Sequence, residues 1–503
     1  MLKCLAALAM LVSTTAGCFA VLPSRGGGQT SFSPPRVVRP SDVAVPAGYA
    51  VHAVATGLTY PTGVAFDDTG AIYVTESGYA YGEQWTTPRV LRVDAAGRTT
   101  VVATGGRNGP WNGLAFDGRA GRAGALYVAE GGTLEGGRIL RIDPANGRIA
   151  TLVAGLPSRG DHHTNGPVVG PDGWLYFGQG TVTNAAIVGE DNAEFGWLRR
   201  FPDQHDVPCA DVTLRGVNTT AGGRTTGAFV PFGTATRAGA IVRGTLPCSG
   251  ALMRVWPHGD GAVSHGDGAA AAARNDTLEL VAWGFRNPYG LAFAPDGTLF
   301  ASDNGYDDRG SRPVHGAPDL LWAVRRGTWY GWPDFSGDRR LDDGDHFVPP
   351  GKARPALVLA AHPNAPPAPA AALGVHASAN GFDFARSDVF GWRGQAFVAE
   401  FGDQAPVVGK VTGPVGFKVV RVDVGSGVVE DFAVNRGATN GPASRLGTAG
   451  LERPIAARFD PSGTALYVVD FGVLTMTANG STPHPGTGVL WRITRAGAGE
   501  GRR

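Results

Sequence analysis

Along the chain one pattern of apolar and polar positions returns six times. It is a short apolar strand, a tight turn containing Gly, a second apolar strand ending on an acid or amide, and then Gly. The copies read "PTGVAFDDTGAIYVTESG", "WNGLAFDGRAGRAGALYVAEGG", "TNGPVVGPDGWLYFGQG", "PYGLAFAPDGTLFASDNG", "ANGFDFARSDVFGWRGQAFVAEFG" and "PIAARFDPSGTALYVVDFG". Short apolar runs bounded by Gly, Pro and Asp predict paired strands, and almost no helical periodicity competes with them. Anchored at Phe66, Phe116, Val169, Phe293, Phe384 and Phe459, the copies stand 50, 53, 124, 91 and 75 residues apart. The short intervals set the unit and the long ones carry insertions. Most copies add a third strand, such as "RVLRVD" from Arg89, "RILRID" from Arg138, "KVVRVD" from Lys418 or "VLWRIT" from Val489, and several a fourth, such as "TTVVAT". Four strands per unit in six units predict an all-β fold, a six-bladed β-propeller with long loop insertions, over residues 43–495.

The same pattern assigns the remaining segments. "YAVHAVA" from Tyr49 is expected to complete the last blade and close the ring against edge pairing. Residues from about Thr181 to Arg254 and from about Tyr306 to Val375 are insertions, expected as surface loops or lids. Residues 21–42, rich in Pro, Gly and Ser, read as a linker, and 496–503 as a flexible tail. Residues 1–20 read as an export signal, because Lys3 precedes an apolar run from Leu5 to Val12 and small residues lead to Cys18. "TAGC" is similar to a lipobox with Cys18 as its lipidation site, and simple cleavage is the alternative, so the mature chain is expected to be periplasmic, envelope-tethered or secreted.

Composition narrows the function classes. The chain has 503 residues with 44 basic against 43 acidic side chains, a formal charge of +1, which leaves no field to gather nucleic acid or an anionic membrane. There are four cysteines; with Cys4 and Cys18 in the leader, Cys209 and Cys248 remain as one pair in an oxidising compartment and are expected to form a disulfide. No CxxCH stands in the sequence, which excludes a covalently attached c-type haem.

In a propeller, residues just before the first strand and just after the second lie on one face, around the mouth of the central channel. The leading positions here include His162, His163, Arg286, Asn287, His376 and Arg453; the trailing ones include Glu76, Glu130, Gln179, Asp303, Glu400 and Asp470. Polar and ionisable groups therefore converge on one face.

Three runs carry a resemblance: "RGDHHTNGPVVGPDGWLYFGQG" from Arg159, "GFRNPYGLAFAPDGTLFASDNG" from Gly284 and "GTWYGWPDF" from Gly327. In this order they are similar to the glucose/sorbosone dehydrogenase family, whose characterised soluble members are six-bladed propellers using pyrroloquinoline quinone with calcium. The resemblance implies an exported oxidoreductase of sugars or related alcohols that passes electrons to a separate acceptor. It implies His162 as catalytic base, with His163 as the neighbouring alternative, and Arg286 and Asn287 against the quinone. Arg453 is implied as a further cofactor contact, and the oxygens of Asp303, Asn304, Asp307 and Asp308, in "SDNGYDD", as calcium donors. Two positions depart from the family: the fifth copy reads "AEFGDQ" from Ala399, without the Lys usual shortly after its second strand and with Lys410 only in a later loop, and Arg453 stands alone where two Arg are usual. Two other readings remain, a metal-dependent hydrolase of the lactonase kind with Glu76, Asn165 and Asp303 as ligands, and a propeller that binds a glycan or protein without chemistry.

Overall fold

The computed structural model describes residues 22–120, 124–258, 263–264 and 275–496. The export signal, the lipidation site at Cys18 and nearly all of the C-terminal tail lie outside the described residues. Among the described residues no helix is long and apolar enough to cross a membrane.

Six antiparallel sheets of four or five strands follow one another along the chain. Blade one holds Pro61–Phe66, Ile72–Glu76, Arg89–Val93 and Thr99–Thr104; blade two holds Trp111–Asp117, Ala125–Glu130, Gly137–Ile142 and Ile149–Leu156, with Val263–Ser264 on its outer edge. Blade three is Thr164–Val169, Leu175–Gln179, Ala251–Val255 and Glu279–Trp283, and blade four is Pro288–Phe293, Leu299–Asp303, Pro318–Ala323 and Ala371–Val375. Blade five is Ala379–Phe384, Ala396–Glu400, Lys418–Asp423 and Val428–Asn435, edged by Val43–Ala44. Blade six takes Pro454–Phe459, Ala465–Asp470 and Gly488–Arg495 from the C-terminal end and Tyr49–Leu58 from the N-terminal end, with Tyr49 opposite Arg495. The predicted closure is thus formed, and hydrogen bonds between the two ends of the chain hold the ring shut.

The third residue of each innermost strand explains one feature of the repeat. Gly63, Gly113, Gly166, Gly290, Gly381 and Ala456 crowd the axis, where a Cβ on Gly113 would lie 2.5 Å from Gly166 Cα and one on Gly290 2.3 Å from the Asn380 carbonyl oxygen. At Gly63, Gly113 and Gly290 the neighbouring backbone approaches too closely for a larger side chain. The residue just before each of these, Thr62, Asn112, Asn165, Tyr289, Asn380 and Ile455, faces the floor of the central cavity.

The stretches expected as insertions are more than loops, since Ala251–Val255, Pro318–Ala323 and Ala371–Val375 within them are blade strands. Segments of both, including Leu214, Phe229, Trp329, Trp332, Phe347 and Leu359, share one buried apolar cluster, and Leu214 bridges Leu359 across the two insertions. Cys209 and Cys248 are joined as predicted, with sulfurs 2.07 Å apart.

The segment expected as a linker is instead docked. The Gly27 amide donates to Asp403 at 3.1 Å, the Met476 amide to the Gly28 oxygen at 2.7 Å, and Arg36 pairs with Asp470 at 2.6 Å with both side chains buried. Three glycines in a row let this chain lie flat in a tight slot; a Cβ on Gly27 would meet the Phe417 ring at 2.3 Å.

Candidate functional site

A cavity of about 1120 Å³ opens at one mouth of the channel, and His162, His163, Arg286 and Asn287 stand together on its wall. The turn that carries His162 is tied to the residues following the second strand of the same blade. His162 N donates to Thr181 O at 3.1 Å, and Gly180 N donates to His163 O at 3.0 Å. Thr181 N in turn donates to Arg286 O at 2.9 Å, and Asn165 Nδ2 to Asn287 Oδ1 at 2.7 Å, so blades three and four are locked at this point. Gly180 lies between the two blades; a Cβ there would stand 2.3 Å from His162 Cβ and 2.8 Å from Asn287 Oδ1.

His162 Nδ1 lies 2.9 Å from the Thr181 carbonyl oxygen. A carbonyl only accepts, so Nδ1 carries the hydrogen and Nε2 the lone pair. Burial, followed by the charges of Arg286 and Arg309, holds the His162 imidazole well below its ordinary range and therefore neutral. Burial alone pushes His163 down to about 4.

Behind the histidines lies a buried ion-pair network. Arg309 pairs with Asp161 at 2.9 Å, Asp191 at 2.6 Å and Asp307 at 3.0 Å, while Arg286 pairs with Asp307 at 2.7 Å. Burial opposes ionisation of Asp307, but Arg286, Arg309 and His376 hold it below the usual carboxylate value. Burial outweighs Arg309 at Asp161 and pushes it up to about 6. Neither Asp161 nor Arg309 was singled out from the sequence, although Asp161 stands beside His162 in "RGDHH" and Arg309 follows "DD" in the segment read as a calcium loop.

Several expected site residues lie elsewhere. Arg453 is absent from the cavity wall. Its guanidinium donates to the carbonyls of Phe401, Gly402, Asp403 and Leu474, sandwiched between the Phe401 and Phe417 rings, because the docked Gly28 and the turn after the second strand of blade five surround it. The calcium donor set does not assemble. Asp303 turns inward to accept the amides of Asn287 and Arg286, Asn304 Nδ2 donates to Ala379 O, Asp307 serves the two arginines, and Asp308 contacts His315 at 2.7 Å. The hydrolase set fails similarly, since Glu76 is paired with Arg89 and accepts the Thr59 amide. Among the described residues no three His, Cys, Asp or Glu side chains gather as a metal site.

The wall fits a quinone in size and in the polar pair Arg286 and Asn287. In charge it fits only with added cations. Arg286 and Arg309 are the arginines lining the cavity, both already ion-paired, against the carboxylates of Glu83, Asp161, Glu190, Asp191, Glu194, Asp307 and Asp319. A tricarboxylate such as pyrroloquinoline quinone would enter a field of its own sign unless a divalent ion came with it.

Residues 247–413 match the family model described as Glucose / Sorbosone dehydrogenase. A curated relative, quinoprotein glucose dehydrogenase B of Acinetobacter calcoaceticus, is 27% identical over 186 residues, covering 37% of this chain and 29% of that protein. The chain thus matches less than a third of that relative's length. Among solved structures, the PQQ-bound aldose sugar dehydrogenase from Streptomyces coelicolor aligns with a TM-score of 0.50 at 18% identity, over 90% of this chain and 99% of that one. The holo PQQ domain of pyranose dehydrogenase from Coprinopsis cinerea aligns with a TM-score of 0.52 at 16% identity, over 92% and 98%. At these identities the solved structures speak for the propeller fold. In its motifs, in residues 247–413 and in its fold, this chain resembles the glucose/sorbosone dehydrogenase family.

Proposed function

We propose that the cavity binds a sugar or related alcohol and that the protein oxidises one of its hydroxyl-bearing carbons, with His162 as general base. The observation that carries this is the neutral His162 imidazole, its Nδ1 fixed on Thr181 and its Nε2 unpaired among the described residues, on the wall it shares with Arg286 and Asn287. Nε2 takes the hydroxyl proton while the carbinol carbon loses its hydrogen with two electrons. Pyrroloquinoline quinone, when bound, supplies the two-electron acceptor, and Arg286 and Asn287 are the residues that would hold it. Asp307 and Asp161 keep the guanidinium groups beside His162 fixed and partly neutralised. The acid-rich wall makes a divalent cation such as calcium a condition of quinone binding. Export is part of the reading, supported by the leader pattern and by the Cys209–Cys248 bridge. With no haem motif in the chain, a separate protein or small molecule would carry the electrons away.

The test is titration of the purified protein with the quinone, with and without calcium. Calcium-dependent appearance of a bound quinone absorption band that an aldose then bleaches is the expected result. No bound quinone in either condition would favour the second reading, a glycan-binding propeller, to which the withdrawal of Arg453 from the wall lends support.

A further inference from the structure

Between its second and third strands, blade one sends out a short hairpin in which Tyr79–Ala80 pairs with Gln84–Trp85. Blade six sends out another at the corresponding place, Leu474–Thr477 against Gly480–Pro483. The two hairpins meet. Gly82, at φ 89°, approaches Ser481 so closely that a Cβ there would stand 2.4 Å from the Ser481 carbonyl oxygen. Both hairpins border the cavity, so the turn that carries Tyr81 is braced at its rim.

Tyr81 is 40% exposed and lines the cavity, with the Tyr79 ring edge-on at 6.3 Å and Tyr79 itself held by Trp85 at 4.7 Å and His163 at 6.1 Å. It takes no part in the apolar clusters that hold the blades. Asp161, Asp307, Arg286 and Arg309, the charged network beside His162, line the same cavity and lie within electrostatic range of its phenol. A large aromatic side chain held at a cavity rim without a packing duty presents area to whatever enters.

A second observation points to the kind of ligand. His163 Nδ1, Asp191 Oδ1, the Tyr289 hydroxyl and Ser311 Oγ are buried without a hydrogen-bond partner among the described residues, and all four residues line this cavity. Buried polar atoms are almost always paired, and a compound rich in hydroxyls offers donors and acceptors to several at once. A pyranose combines such a hydroxyl rim with an apolar C–H face.

We infer that Tyr81 is the sugar-positioning residue of this cavity, its ring stacking on a pyranose whose hydroxyls turn toward His163 and Asp191. The inference rests on the reading that the cavity takes a sugar. It is tested by binding alone, without turnover, using D-glucose and cellobiose as probes in saturation-transfer NMR on the full chain. Tyr81→Ala should weaken both by about tenfold, while Tyr81→Phe and Tyr81→Trp, which keep the aromatic face, should stay within about twofold of wild type. Equal binding by wild type and Tyr81→Ala overturns the inference and leaves the sugar reading standing. Binding of neither probe to the wild type overturns both. Equal loss in the Ala, Phe and Trp variants, with melting temperatures unchanged, would assign the effect to the hydroxyl and overturn the stacking role.

Discussion

The imidazole Nδ1 of His162 donates to the main-chain oxygen of Thr181 at 2.9 Å. That single bond sets the tautomer. Thr181 is itself fixed, its amide bonded to Arg286 O and its hydroxyl to Thr183 O, so the lone pair at Nε2 is held by the fold of two blades. A base oriented this way loses little entropy when a hydroxyl arrives.

Replacing His162 by Ala should lower sugar oxidation by about 10² to 10⁴-fold, with binding retained. The pH dependence follows from the sign of the shift. Burial, Arg286 and Arg309 depress His162, so the active neutral form persists on acidification past the ordinary imidazole range. The acid limb of kcat/KM should therefore lie well below pH 6.5, the ordinary value for this group. A limb at or above that value would exclude His162 as the base.

Arg309→Leu should destabilise the protein by about 3 to 5 kcal/mol, because it leaves the carboxylates of Asp161, Asp191 and Asp307 buried with one arginine among them. Urea unfolding of the two proteins side by side measures the difference. Full stability in the variant would mean that these carboxylates take up protons at little cost.

Glu400 should make stability fall as pH rises. It is 2% exposed, and burial, only partly offset by Lys418, pushes its carboxyl up to about 8. The unfolded chain releases this proton near pH ~4 and the folded one keeps it to about 8, so its contribution is complete at low pH and lost through that window. Thermal melts of Glu400→Gln from pH 5 to 8 should show a flatter slope than wild type. Identical slopes would rule out a raised Glu400.

Gly27→Val should dislodge the N-terminal segment. Its side chain would collide with the Phe417 ring at 2.3 Å and Pro442 at 2.9 Å, an overpacking worth about 1 to 3 kcal/mol. Trypsin should then cut at Arg25 and Arg36 faster than in the wild type, whose Arg36 is buried against Asp470. Unchanged cleavage would show that the segment is loose already.

The blades were legible because each is a local structure. A short apolar strand, a Gly turn and a second strand lie within about twenty residues, and the second strands, buried on both faces, show as continuous apolar runs. The repeat also gave His162, Arg286 and Asn287 a common face. It misled at the trailing acids. Asp303 accepts the Asn287 amide at 2.7 Å, and Asp470 does the same for Arg453 at 2.9 Å, so this acid caps the turn before the innermost strand. Read alone, a carboxylate at a channel mouth could equally be a metal ligand.

Sequence by itself thus determined the ring, its closure by Tyr49–Leu58 and the cysteine pair, since these follow from pattern and count. Tertiary structure decided which charged groups face the cavity. Arg309 from one insertion meets Asp191 from the other, 118 positions away, and the glycines at 26–28 fold back to cover Arg453. Whether a buried charge serves a ligand or a neighbouring backbone depends on the partners that distant segments bring within hydrogen-bonding range. No local pattern encodes those partners.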